Sequence, residues 1–225
     1  MNETELLFDE IRGVLAPHGL FLRGLVGFAG DGPVLSDGGQ ARSVLLIGNV
    51  GGSLWRAFSH WRDENPTIDN PLDRWSEQTI RPIANRFGAT AYFPSEKPWQ
   101  PFQQWAMRAE GLKPSPLGIL IHPEFGLWHG YRGALGFTQE LLVTPTEPQP
   151  HPCETCSDRP CLTTCPVSAI ASDHFDVAAC RSHLRSVAGV GGCMEAGCLA
   201  RNACPVGQDL RYPDAQLRFH MAALS

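Results

Sequence analysis

The eight cysteines of this chain occur only in its last third. Their spacing is Cys153-x2-Cys156-x4-Cys161-x3-Cys165-Pro166, then Cys180, then Cys193-x4-Cys198-x5-Cys204-Pro205. Two sets of four thiols, each ending in Cys-Pro, are typical of a chain that holds a pair of iron–sulfur clusters. The pattern therefore predicts a metal-binding redox protein of 4Fe–4S type, with a ferredoxin-like tail that carries single electrons.

The position of each Cys-Pro predicts how the ligands divide between the clusters. In two-cluster ferredoxins the cysteine before the proline serves the cluster held by the other set. One cluster would then take Cys153, Cys156, Cys161 and Cys204. The other would take Cys180, Cys193, Cys198 and Cys165.

Disulfides, zinc and metal-free thiols are the alternatives to iron–sulfur clusters. The N-terminus, Met1 to Glu10, is acidic and has no basic start followed by an apolar run, so no secretory signal is visible and a cytoplasmic address is expected. Reduced thiols in such a compartment indicate metal binding or catalysis. Zinc also binds paired cysteines, although a zinc site does not need the proline that follows Cys165 and Cys204.

The loops between the cysteines are longer than in bacterial two-cluster ferredoxins. Those use Cys-x2-Cys-x2-Cys-x3-Cys-Pro, whereas four residues separate Cys156 from Cys161 and include Pro160. The second set is stretched at both steps, around Cys193 and Cys198. Longer loops offer different backbone N–H groups to the sulfur atoms, so the second cluster is the less secure prediction.

Charge and hydropathy exclude two classes of partner. The net charge of −5 arises from 18 basic and 23 acidic residues without a long run of either sign. This distribution argues against a nucleic-acid partner and against binding to an anionic membrane. No apolar stretch is long enough to span a membrane.

A proline-rich segment divides the chain. Thr144 to Pro152 has four prolines in nine residues, which is typical of an extended linker. We therefore predict domains at 1–144 and 145–225.

Apolar periodicity in the first part predicts helices at 3–15, 53–62, 72–87 and 102–110, and strands at 21–28, 42–48, 89–93, 117–122 and 131–142. Helices and strands mix without strict alternation, so the predicted fold class is α+β. In the tail we expect short helices after Cys165 and at 177–187, and a last helix at 214–223.

The stretch from Leu117 to Leu135 is rich in aromatic and glycine residues. We predict two strands joined through a turn at Gly126. The plain interpretation is a hairpin whose aromatic side chains fill the core. The functional interpretation is a pocket wall in which Arg132 meets a negative group and glycines let the backbone approach a flat ligand.

Another glycine-rich segment, Gly48 to Gly52, lacks the order of glycines that a phosphate-binding loop has. It is predicted to be a tight turn.

The segment Ile121 to Leu135, IHPEFGLWHGYRGAL, resembles the cobalamin-processing proteins of the CblC type. Preceded by Trp105 to Leu112, it is also similar to epoxyqueuosine reductase, in which a two-cluster ferredoxin module follows a cobalamin domain. The four-one-three order of the cysteines matches that module. The likeness covers about residues 95–206, and this chain looks like a relative of the reductase rather than either protein.

The resemblance implies a nitroreductase-like α+β domain followed by a small, loop-rich, two-cluster domain. It implies a cobalamin-linked oxidoreductase in which a soluble donor of ferredoxin or flavodoxin type reduces the clusters and a corrinoid in the first domain accepts the electrons. The implied pocket wall comprises His122, Phe125, Gly126, Trp128 and Arg132. Where the reductase has a catalytic Asp, this chain offers Glu96 and Lys97, so Glu96 is the candidate proton donor.

Two other functions fit the same residues. One is a ferredoxin-type electron carrier that turns over no small-molecule substrate. The other is a binding module that holds structural zinc or has lost its clusters.

Overall fold

The structure, a computed structural model, describes residues 3–142 and 150–224. The chain divides into two units. Unit 1 comprises Met1–Gly111 and Gly130–Pro148, and unit 2 comprises Leu112–His129 and Gln149–Ser225. The domain boundary predicted at residue 144 lies outside the described residues. The structural division differs from that prediction because the segment 112–129 belongs to the unit that contains the cysteines.

Helices and strands follow each other in an irregular order. In chain order the first elements are α1 (Glu3–Leu15), β1 (Phe21–Gly27), β2 (Ser43–Val50), α2 (Trp55–Glu64), α3 (Pro71–Arg86), β3 (Thr90–Tyr92), α4 (Phe102–Glu110), β4 (Lys113–Pro114), β5 (Leu120–Ile121) and β6 (His129–Phe137). The remaining helices are α5 (Pro152–Thr155), α6 (Val177–Leu184), α7 (Val187–Val190), α8 (Cys193–Ala196), α9 (Leu199–Asn202) and α10 (Asp214–Ala222). This mixture confirms the predicted α+β class.

A four-stranded sheet forms the centre of unit 1. Its strand order is β1-β2-β6-β3, and the pairs β1–β2 and β3–β6 are antiparallel. Seven successive residues of β2, Ser43 to Asn49, are buried. Because alternate side chains of a strand point to opposite faces, β2 is covered on both faces of the sheet. The apolar run at 42–48 predicted this buried strand correctly.

The elements of unit 1 agree closely with the sequence periodicity. Helices α1 and α4 have the predicted bounds. The other predicted helices and strands up to Tyr92 begin and end within three residues of their predicted limits. Gly48 lies inside β2 rather than in a turn, and the turn proper begins at Gly51, where φ is +52°.

The predicted hairpin through Gly126 is wrong. Strand β5 pairs with β4 in a separate two-stranded sheet, and β6 pairs in the large sheet of unit 1. The Gly126 turn closes on itself through an isolated bridge between His122 and Gly126. Strands β5 and β6 therefore do not pair with each other, because the pairing across the turn is limited to the bridge between His122 and Gly126.

Unit 2 consists of short helices and turns around a small apolar core. This core contains Leu117, Ile121, Leu127, Ile170, Ala200 and Cys204, with four further cysteines packed against it. Helix α6 and helix α10 confirm two predicted helices. In the described residues that follow Cys165 no helix begins before Val177, and a bridge between Ile170 and Phe175 spans this segment instead. Among the described residues, no helix combines the length and apolarity that crossing a membrane requires.

Candidate functional site

Four thiols converge on one cavity in unit 2. The cavity has a volume of about 540 Å³, and Cys153, Cys156, Cys161 and Cys204 line it. Burial, and then the thiols of Cys204, Cys161 and Cys156, raise the pKa of Cys153 to about 11. Cys161 shows the same pattern, with burial first and then Cys204 and Cys156 raising its pKa. The four residues therefore share one cavity, and their thiols act on one another electrostatically.

The other four thiols form a second set. Burial is the largest cause that raises the pKa of Cys180. The thiols of Cys198, Cys165 and Cys193 also raise it. Cys193 is buried beside Leu184 and Met221, and Cys180 and Cys198 pack against this small core. The thiols that act on Cys153 and on Cys180 belong to the two sets proposed from the sequence, and their role as metal ligands stays a prediction. The cysteine before each proline thus lies with the set formed by the other part of the array.

Backbone N–H groups point at several of these sulfur atoms. The N–H of Ala169 donates to Cys165 Sγ at 3.3 Å. Burial raises the pKa of Cys198 and of Cys204, and backbone N–H donors oppose this rise at both thiols. Hydrogen bonds of this kind favour a charged sulfur and are common around iron–sulfur clusters. The loops therefore place backbone donors next to the thiols.

The cysteines are free thiols that the structure does not group around a single metal ion in the part of the chain it describes. The described residues contain no group of three or more His, Cys, Asp or Glu side chains that could hold one metal ion. All eight cysteines are free thiols. A site for one ion needs ligands that meet at a point, whereas the four thiolates of a 4Fe–4S cluster bind separate irons and lie farther apart. That the two sets hold clusters stays a prediction.

His122 and Phe125 form the turn before the cysteine loop. Their rings stack with centroids 3.9 Å apart and an interplanar angle of 8°. Nδ1 of His122 accepts the N–H groups of Glu124 and Phe125, both at 3.1 Å. In this turn His122 therefore acts as a hydrogen-bond acceptor that fixes the backbone.

Gly126 lets two loops of unit 2 touch. Its φ is +56°, and a Cβ at this position would overlap the carbonyl group of Val206. Gly207, with φ of +67°, makes the reciprocal approach, because a Cβ there would lie 2.6 Å from the carbonyl of Phe125. Both positions need glycine because the backbone of the His122 turn contacts the backbone of the loop after Cys204. Gly126 was predicted to admit a flat ligand, but the structure places protein backbone against it.

Trp128 lies in a second apolar cluster of unit 2. It is 1% exposed and packs with Tyr212 and Leu217. The guanidinium of Arg201 lies 4.3 Å from the centroid of the Trp128 ring and 4.7 Å from that of Tyr212, and it donates to the carbonyl of Leu127. Such cation–π contacts of one Arg with two aromatic rings stabilise both the cation and its neighbours. Sequence reasoning did not identify Arg201, because its partners are distant in the chain.

The two remaining predicted site residues lie in unit 1. Arg132 is half-buried on β6, and its Nε donates to the carbonyl of Tyr131 at 2.9 Å. Glu96 forms an ion pair with Arg81 through both carboxylate oxygens, at 3.0 and 3.1 Å, on the exposed surface. Proton donation by Glu96 would require this pair to open. Of the five predicted pocket-wall residues, four therefore lie in unit 2 and only Arg132 in unit 1.

Unit 1 has a cleft of its own. It has a volume of about 1260 Å³ and is lined by residues of α1, α2 and α3 and by Pro17 and Gly19, which follow α1. Trp61, Arg56 and His60 contribute polar and aromatic groups. Sequence reasoning did not predict this cleft, because it treated α2 and α3 only as packing helices.

The fold is similar to that of a known cobalamin protein. The crystal structure of the B12-trafficking protein CblC of C. elegans, a homologue of human MMACHC, superposes with a TM-score of 0.56 at 12% sequence identity. The superposition covers 97% of this chain and 91% of that chain. This likeness confirms the CblC-type fold predicted from Ile121 to Leu135. The likeness to epoxyqueuosine reductase and its two-cluster module stays a prediction.

No family model matches the sequence, and no curated protein matches it.

Proposed function

We propose that this protein binds two 4Fe–4S clusters in unit 2 and passes single electrons to a corrinoid bound by unit 1. The observation that carries the proposal is the grouping of eight free thiols into two sets of four. The exchange of Cys204 and Cys165 between the sets supports a two-cluster ferredoxin arrangement over two independent zinc sites. When bound, such clusters accept and release one electron at a time.

The residues of unit 2 would set the binding and the potential of the clusters. The thiols of each set would supply the four ligands as thiolates. The N–H groups of Ala169 and Val206 would stabilise negative charge on Cys165 and Cys204. Gly126 and Gly207 would hold the loop after Cys204 in place, so that its thiol stays in the first set.

The corrinoid part of the proposal is supported by the fold. CblC is a B12-trafficking protein, and its structure superposes on nearly the whole chain. Among the predicted pocket residues, Arg132 is the candidate for contact with a negative group of the corrinoid, because it is half-buried on a strand of unit 1. Trp128 is enclosed by protein and would contribute through packing alone.

Metal and sulfide analysis of anaerobically purified protein tests the clusters. We expect about eight iron and eight acid-labile sulfide per chain, with a brown colour that fades on reduction by dithionite. About two zinc per chain, in a colourless protein that takes up no iron on reconstitution, would refute the cluster assignment.

Titration with cob(II)alamin tests the corrinoid separately. We expect the visible spectrum of the corrinoid to shift on binding and the affinity to fall about tenfold in Arg132→Ala, since a charge-assisted hydrogen bond contributes roughly 1.5–3 kcal/mol. Arg56→Ala, in the cleft of unit 1, is the matched control. A loss in Arg56→Ala with none in Arg132→Ala would place the corrinoid in that cleft and contradict the role of Arg132.

A further inference from the structure

A basic and apolar surface covers α6 and α7 in unit 2. We define this α6–α7 surface by the exposed residues Val177, Ala178, Arg181, Ser182, Arg185, Val187 and Val190. The first five of these residues line a shallow concavity of about 540 Å³. On α6 they recur at helical spacing, so one face of the helix presents them together.

The apolar part of this surface is unusually exposed. Val187 is 94% exposed, Val190 is 55% exposed and Val177 is 47% exposed. Helix α7 is held by its own cap, since Ser186 Oγ accepts the N–H of Gly189 at 3.1 Å. This cap stabilises the helix on which Val187 and Val190 are exposed. Apolar side chains grouped among charged ones are typical of protein interaction sites.

The charge of this surface is opposite to that of the chain. The segment 177–192 contains Arg181, Arg185 and His183 and no acidic residue, although the chain as a whole carries −5. Within the described part of the chain neither arginine of this segment forms an ion pair. Two guanidinium groups outside the ion pairs of the described residues favour an acidic partner over a second copy, because two copies of one basic face would repel each other.

The surface adjoins the second thiol set. Cys180 lies on α6 directly before Arg181 and is partly exposed, whereas Cys193 of the same set is buried. A protein docked on α6 would therefore lie nearest to the second set. A small, charged and partly apolar patch is the usual form of a transient electron-transfer contact.

We infer that the α6–α7 surface docks an acidic, single-electron carrier protein that reduces the second cluster. The inference rests on the proposed function, since a redox partner is needed only if the thiol sets hold clusters. One electron would leave the reduced carrier and enter the cluster, with no bond made or broken and no proton transferred.

Binding and reduction by a plant-type ferredoxin, an acidic 2Fe–2S protein, test the inference. Affinity is measured with the oxidised carrier by interferometry, and the reduction rate is measured with the reduced carrier by stopped flow. The variants are Arg181→Gln/Arg185→Gln and Val187→Asp. The matched control is Arg74→Gln/Arg86→Gln, which removes the same charge from α3 in unit 1.

We expect both surface variants to lose about tenfold or more in affinity and in reduction rate at low ionic strength, and the control to keep both within about twofold. Added salt should weaken binding of the original protein more than that of the arginine variant. Equal losses in the control, or no binding by an iron-loaded original protein, would overturn the inference. Concentration-dependent dimerisation abolished by Val187→Asp would overturn it too, because a second copy would then cover the surface.

Iron content and dithionite reduction distinguish a failure of the proposed function from a failure of the docking surface alone. A preparation that binds no iron after reconstitution refutes the proposed function, and the docking inference falls with it. A preparation with about eight iron that dithionite reduces, but that the carrier neither binds nor reduces, leaves the clusters in place and refutes the docking surface alone.

Discussion

Gly126 and Gly207 show how single residues position the cysteine loop. Each has positive φ, and each lies where a side chain would enter the backbone of the other loop. The sequence analysis predicted that Gly126 lets the backbone approach a flat ligand. What approaches is the segment after Cys204 rather than a ligand, and only the fold brings residues 126 and 206 together, since no local pattern links them.

Gly126→Ala should destabilise the protein by at least about 2 kcal/mol and lower its iron content. The Cβ would collide with Val206 and force a left-handed φ on alanine. Gly118→Ala is the matched control, because Gly118 has φ of +74° and no atom within 4 Å of an added Cβ. We expect the control to cost about 1–2 kcal/mol, the usual penalty for that conformation. Urea denaturation measures both, and equal costs would contradict the loop contact.

At the scale of elements, the strength of the periodic signal decided what could be predicted. Helices α1 and α4 carry apolar residues at helical spacing over several turns, and their bounds were predicted to the residue. Strands β4 and β5 have two residues each, too few for any periodicity, so their pairing could not be predicted. The prediction of a hairpin through Gly126 was wrong for this reason.

A buried ion pair links α4 to the sheet. Arg23 on β1 and Glu110 on α4 are 2.6 Å apart, with side chains 3% and 11% exposed. Glu110→Ala should cost about 3–5 kcal/mol of unfolding free energy, because it leaves a buried guanidinium without its carboxylate. Glu140→Ala is the control, since Glu140 pairs with Arg42 at 2.7 Å on the exposed surface and should cost less than about 1 kcal/mol. Similar costs for both variants would contradict the burial of the first pair.

Strand β3 makes the stability of unit 1 sensitive to high pH. Burial, and then the carboxylate of Asp37, raises the pKa of Tyr92 from 10.0 to about 12, and its hydroxyl donates to the carbonyl of Val34 at 3.0 Å. Since the pKa is higher in the folded state, the stability gained from neutral Tyr92 is complete below pH 10 and is lost as the pH rises through 12.

Tyr92→Phe should therefore make stability fall less steeply above about pH 10, after a loss of about 1 kcal/mol at neutral pH. Tryptophan fluorescence in urea at stepped pH measures this, because Trp105 contacts the Tyr92 ring at 5.9 Å. An unchanged slope in Tyr92→Phe would assign the alkaline loss to other groups, such as Tyr131, whose pKa burial also raises.

At the scale of the whole molecule, the order of the cysteines predicts two sets of thiols, and the thiols that act on Cys153 and on Cys180 fall into those sets. The exchange of Cys204 and Cys165 as cluster ligands is part of the proposal and stays a prediction. The membership of Leu112–His129 in unit 2 could not be deduced. That segment is continuous with β6 in sequence, and its packing on the cysteine loops depends on contacts such as those of Arg201 with Leu127 and Trp128.

The iron content of paired cysteine variants tests the central claim most directly. The claim is that Cys204 serves the cluster of Cys153, and Cys165 the cluster of Cys180. In anaerobically reconstituted protein, Cys153→Ser, Cys204→Ser and the double variant should each retain about four of eight iron per chain, because all three remove the same cluster. Combining Cys153→Ser with Cys165→Ser should remove both clusters. A double variant of Cys153 and Cys204 that holds no iron, while each single variant holds about four, would contradict the exchange of ligands between the two sets.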